Sequence, residues 1–100
     1  LRVQPVLTIW YHQPLDLVYG SDPHVAVLKR YARLSGLPYR RLTAPRGAAT
    51  RWERTRFPRS PAFVVEFPAG RISAATVRRN AAAVVALARD TSGGRFAMNR

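Results

Sequence analysis

The run Phe63-Val64-Val65-Glu66-Phe67-Pro68-Ala69-Gly70 does most to limit what this chain can fold into. It is short, β-branched and aromatic, and it closes on Pro and Gly. That pattern predicts a buried strand over Ala62 to Phe67. Its one carboxylate is out of place, because Glu is among the residues least often fully buried. An acid in that position needs a partner, a proton or a chemical task. A second run of the same type, Val3 to Tyr11, predicts another strand, with Pro5 near its start where a missing N–H is tolerated. His12 follows at once, 54 residues before Glu66, and ends that strand.

Between and after these strands the pattern turns helical. Ser21-Asp22-Pro23 reads as a helix start, and Gly36 with Pro38 beyond it as the stop. The helix between them, ending near Ser35, places Val27, Leu28, Tyr31 and Leu34 on one face and Lys29, Arg30 and Arg33 on the other. Leu15 to Gly20 reads as a connection. Tyr39-Arg40-Arg41-Leu42 reads as a short edge strand, Pro45-Arg46-Gly47 as a turn, and Ala48 to Arg56 as a short helix carrying Trp52. Ser73 caps a last helix over Ala74 to Arg89, with Ala74, Val77, Ala81, Val84 and Ala88 as its apolar stripe. Thr91 to Arg100 reads as a loose tail.

Strand, helix, edge strand, loop, strand, helix is an α/β order, and its two main strands should run parallel. A sheet with so few strands has open edges, which points to a partial sheet with flanking helices, part of a larger one. The length suits one domain, residues 1–90, with 91–100 as tail.

Composition narrows the function. No run approaches the ~18 apolar residues of a membrane-spanning helix, and no signal-peptide pattern is visible. With no Cys, thiolate metal sites and thiol nucleophiles are excluded. The net charge of +12 invites a nucleic-acid or anionic-polymer reading. Against it, the arginines scatter along the chain, Arg40-Arg41 and Arg78-Arg79 being the only adjacent pairs. Lys29 is the sole lysine, the skew that a GC-rich genome's codon use produces. No Walker or dinucleotide glycine loop occurs, and H-E-x-x-H is absent. In open α/β sheets ligands bind beyond the carboxyl ends of the strands. His12 and Glu66 stand at those ends, one a metal ligand or base by type, the other a base or ligand.

Thr8-Ile9-Trp10-Tyr11-His12-Gln13-Pro14 and Phe63 to Gly70 resemble the C-terminal half of zinc carboxypeptidase-like enzymes, in particular the bacterial murein peptide amidases. Gly47-Ala48-Ala49-Thr50-Arg51-Trp52, then Phe57-Pro58, is similar to that branch's segment leading into the catalytic strand. The resemblance spans about residues 3–88. It implies the C-terminal portion of a mostly parallel sheet between helices, and zinc-dependent hydrolysis of an amide bond in a peptide, a murein peptide in this branch. It implies His12 as a zinc ligand, Glu66 as general base and then general acid, and Thr50 as a lining residue of the substrate pocket. The family's other zinc ligands form an H-x-x-E pair, which this sequence lacks: Gln13-Pro14-Leu15 follow His12, and Val25-Ala26-Val27 follow His24. The family's oxyanion-supporting arginine of the N-terminal half is missing too. The expectation is therefore a fragment, from a truncated gene, an excerpt or a degenerate copy, with the remaining ligands upstream and no hydrolysis by this chain alone. A basic binding module and a non-catalytic remnant are the alternatives. The family's setting is either cytoplasmic peptide recycling or an exported wall enzyme.

Overall fold

The computed structural model describes residues 4–20, 23–42 and 48–92. The expected cap at Ser21-Asp22, the turn at Pro45-Arg46-Gly47 and the tail beyond Ser92 lie outside the described residues. Seven elements follow in order: β1 (Thr8–His12), β2 (Leu15–Gly20), α1 (Val25–Ser35), β3 (Tyr39–Arg41), α2 (Ala49–Arg56), β4 (Ala62–Pro68) and α3 (Ala74–Ser92). They form an α/β structure with a four-stranded open sheet, ordered β1-β4-β2-β3. The pairs β1–β4 and β2–β3 are parallel, and β2–β4 is antiparallel.

β4 lies inside the sheet, as its unbroken apolar run requires: its first five residues are all buried. Alternation along the strand splits them between the two faces. Phe63 and Val65 join Val18, Val27, Leu28, Tyr31, Ala83 and Leu87 in one core, built from the sheet, α1 and α3. Ala62, Val64 and Glu66 point to the other face, on the side of α2, which packs against β4. The sheet approaches α1 closely at Gly20, where an added Cβ would lie 2.5 Å from Leu28 Cδ2. α1 stops at Gly36, whose φ of 79° is the left-handed value a glycine cap favours.

The segment Leu15 to Gly20, expected as a connection, is instead the inner strand β2. Leu17-Val18-Tyr19 are good strand formers, but Pro14 before them and Asp16 among them mask the pattern. Asp16 takes a positive φ of 56°, a local kink that a short polar side chain tolerates. β1 and β2 are not neighbours, since β4 runs between them. The chain therefore crosses the carboxyl end of β4 through Gln13 and Pro14, whose peptide bond is cis.

α3 presents a different face from the one expected. Its buried positions are Asn80, Ala83, Leu87 and Asp90, whereas Ala74, Val77, Ala81, Val84 and Ala88 are all exposed. Polar fastenings decide the orientation. Tyr31 donates its hydroxyl to Asn80 Oδ1 at 2.6 Å, Arg30 pairs with Asp90, and Arg79 Nε donates to the Ser35 carbonyl at 3.2 Å. Turning the valine row inward would leave the buried Tyr31 hydroxyl and the Ser35 carbonyl without these partners. On α1, Leu34 is likewise exposed, and Ala32 and Ser35 take the inner positions beside Val27, Leu28 and Tyr31. The expected cap of α3 is in place: Ser73 Oγ accepts the Thr76 N–H at 3.1 Å.

Candidate functional site

Two parallel strands in register bring their carboxyl ends side by side, and here those ends carry the two residues singled out above. His12 is the register partner of Glu66. Because alternation is shared across a register pair, both side chains project to the same face, the one that α2 partly covers. His12 is exposed, whereas Glu66 retains 6% of its surface.

A buried carboxylate must be hydrogen-bonded, and Glu66 is met from β2. The Leu15 N–H donates to Glu66 Oε1 at 3.3 Å. Leu17 is its antiparallel register partner, and Tyr19, two residues further on the same face, sits beside it. The Tyr19 hydroxyl is held above the ordinary phenol range by burial first, then by the negative charge of Glu66 and a hydrogen bond to it. Tyr19 therefore stays protonated beside the carboxylate.

The crossing segment is fixed as well. Gln13 Nε2 donates to the carbonyls of Pro68 and Gly70, at 3.0 and 2.8 Å. These two bonds tie the residue after His12 to the end of β4, just past Glu66. His12 and Glu66 are thus held by one register pair and one side-chain clasp, both on backbone.

Thr50 is buried in the first turn of α2. One turn on, Glu53 Oε2 accepts a hydrogen bond from Thr8 Oγ1 at 3.3 Å. Thr8 begins β1, four residues before His12, or ~13 Å along the strand. α2 is therefore anchored at the amino end of the strand pair. The structure brings His12 and Glu66 together, and nothing described brings Thr50 to them.

Tyr19, the Leu15 N–H and the Gln13 amide escaped the reading of the sequence, since all three depend on β2 crossing to the far side of β4. A Gln placed directly after a strand-ending His was the available signal for the clasp. Chemically, the pair offers one imidazole nitrogen and one buried, hydrogen-bonded carboxylate. The described residues contain no group of three or more His, Cys, Asp or Glu that could hold a metal ion. No described helix is long and apolar enough to cross a membrane.

No protein-family model matches this chain, and no curated protein matches it significantly.

Proposed function

We propose that this chain supplies part of the active site of a zinc-dependent peptide hydrolase of the carboxypeptidase-like type, acting on an amide bond of a murein peptide. The observation that carries this reading is the register pairing of His12 with Glu66 at the carboxyl ends of β1 and β4. His12 would be one ligand of the ion. Among the described residues no group of three or more His, Cys, Asp or Glu stands together, so the chain fits as a partner that contributes one ligand to such a centre. The remaining ligands belong to sequence upstream. Zinc, when bound, polarises the scissile carbonyl and acidifies water.

The chain's own residues move the proton. Glu66 accepts it from the attacking water and returns it to the departing amine, so one carboxylate serves as base and then as acid. The Leu15 N–H keeps that carboxylate partnered while it is buried, with Tyr19 beside it. Gln13 keeps the His12 strand end from drifting away from β4. Thr50 is the proposed contributor to the substrate pocket, on the strength of the sequence resemblance.

The test uses the native protein that contains this chain. It should carry about one zinc per molecule and hydrolyse a murein tripeptide, and His12→Ala should lower zinc content and activity together. Unchanged zinc content in His12→Ala would remove His12 from the site. The 100-residue chain alone should show no hydrolysis and weak zinc retention.

A further inference from the structure

The outward surface of α3 is unlike that of an ordinary surface helix. Val77, Ala81, Val84 and Ala88 form one exposed row, and Ala82 with Val85 extends it sideways. Val77 is 54% exposed and Val85 49%. The row lies along a hollow of about 280 Å³, whose opposite wall is Tyr11, Phe67 and Ile72. Tyr11 and Phe67 stack there, ring centroids 5.4 Å apart. A contiguous apolar patch of this kind marks an interaction site.

Charge says what covers it. The sequence has five acidic residues, Asp16, Asp22, Glu53, Glu66 and Asp90. Glu53, Glu66 and Asp90 are buried, which leaves Asp16 as the one exposed acid among the described residues. α3 turns its only acid, Asp90, inward to Arg30. Its exposed charges are Arg78, Arg79 and Arg89, and Arg78 and Arg89 close the two ends of the Ala82–Val85 row. Arg71 is exposed next to Ile72. The patch is thus apolar in the middle and cationic at its margins.

We propose that α3 and the adjoining hollow dock an amphipathic helix with acidic flanks, supplied by another polypeptide. A second copy of this chain would set arginine margins against arginine margins. A lipid surface would favour large apolar or aromatic side chains on a convex face. Here α3 offers Ala and Val beside a concavity, the surface of a helix groove that receives a larger side chain. This proposal does not rest on the hydrolase reading, and burial of this face by upstream sequence of the native protein would overturn it.

The experiment measures fluorescence anisotropy of a synthetic helix matched in length to α3, with Leu and Ala on one face and Glu along both flanks, titrated with the protein. Saturable, salt-weakened binding is expected, and Val77→Asp/Val84→Asp, two exposed positions, should weaken it roughly tenfold or more. The fold of that variant is checked by circular dichroism. Several results would overturn the proposal: no saturable binding; equal binding of the same helix with Lys flanks; indifference to the double variant; dimerisation of the protein alone through this face; or binding confined to anionic phospholipid vesicles.

Discussion

The two faces of the sheet are built differently. Under α1 and α3, Phe63, Val65, Val18, Leu28, Tyr31 and Leu87 interlock with almost no exposure. Under α2 the same strands present Glu66, Tyr19, Thr8 and His12, and the covering helix has only eight residues, anchored at the amino end of β1. One face is mostly apolar and held chiefly by packing, with one polar chain through it. The other mixes buried Ala62 and Val64 with these polar groups, and individual hydrogen bonds hold Glu66 and Thr8 there. Because both faces use alternate residues of one strand, β4 serves both roles. Val65 lies in the core, and Glu66, the next residue, lies outside it, where the proposed chemistry would not loosen the packing.

The contrast can be broken most forcefully at Phe63. Replacing it with Ala should cost about 3–5 kcal/mol, from lost burial and the cavity left behind. Urea unfolding would show this as a lower midpoint with an unchanged slope. A loss under about 1 kcal/mol would mean that this face is no better packed than the other.

Next comes the polar chain that passes through the packed side. Tyr31 donates to Asn80, so it must accept from Tyr11, whose hydroxyl lies 2.9 Å away. Tyr31→Phe leaves Asn80 Oδ1 and the Tyr11 hydroxyl without that partner, at about 1–3 kcal/mol. It should also alter the response to alkali. Burial, followed by the hydrogen bond and neighbouring Tyr11, pushes the Tyr31 phenol well above its ordinary range. A phenol whose folded pKa is raised gives stability that is full below its unfolded value, near 10. That stability is lost as pH rises from there toward the folded value. Thermal melts above pH 10 should therefore fall more steeply for the wild-type chain than for Tyr31→Phe. Parallel curves would assign the alkaline loss elsewhere.

The smallest effect is expected on the α2 side, at an aromatic residue of greater volume. Trp52 is 61% exposed and touches Phe57 edge to face. Trp52→Ala should change stability by no more than about 0.5–1 kcal/mol in the same urea titration. A loss matching that of Phe63→Ala would erase the distinction between the faces.

Much of this was legible in the sequence, for identifiable reasons. β1, β4, α1 and α2 carry their signals locally: β-branched runs, a Gly stop, and a short stretch flanked by prolines in sequence. The pairing of His12 and Glu66 was legible because each ends a strand, and parallel strands bring like ends together. β2 was hidden because Pro14 and Asp16 are local strand breakers, overruled by pairing on both sides with β4 and β3. The facing of α3 was hidden for the opposite reason. Its most regular apolar row faces outward, and the inward face is chosen by Asn80 and Asp90, whose partners Tyr31 and Arg30 lie 49 and 60 residues away. Residues that satisfy each other over such separations leave no periodic trace.

The most direct test of the proposed role of Glu66 is the hydrolysis rate of a murein tripeptide by the native protein carrying Glu66→Gln. The amide keeps an oxygen for the Leu15 N–H, so the fold should hold to within about 1 kcal/mol, while kcat falls by roughly 10²–10⁴. A Glu66→Gln protein that hydrolyses the peptide at the wild-type rate would contradict the account.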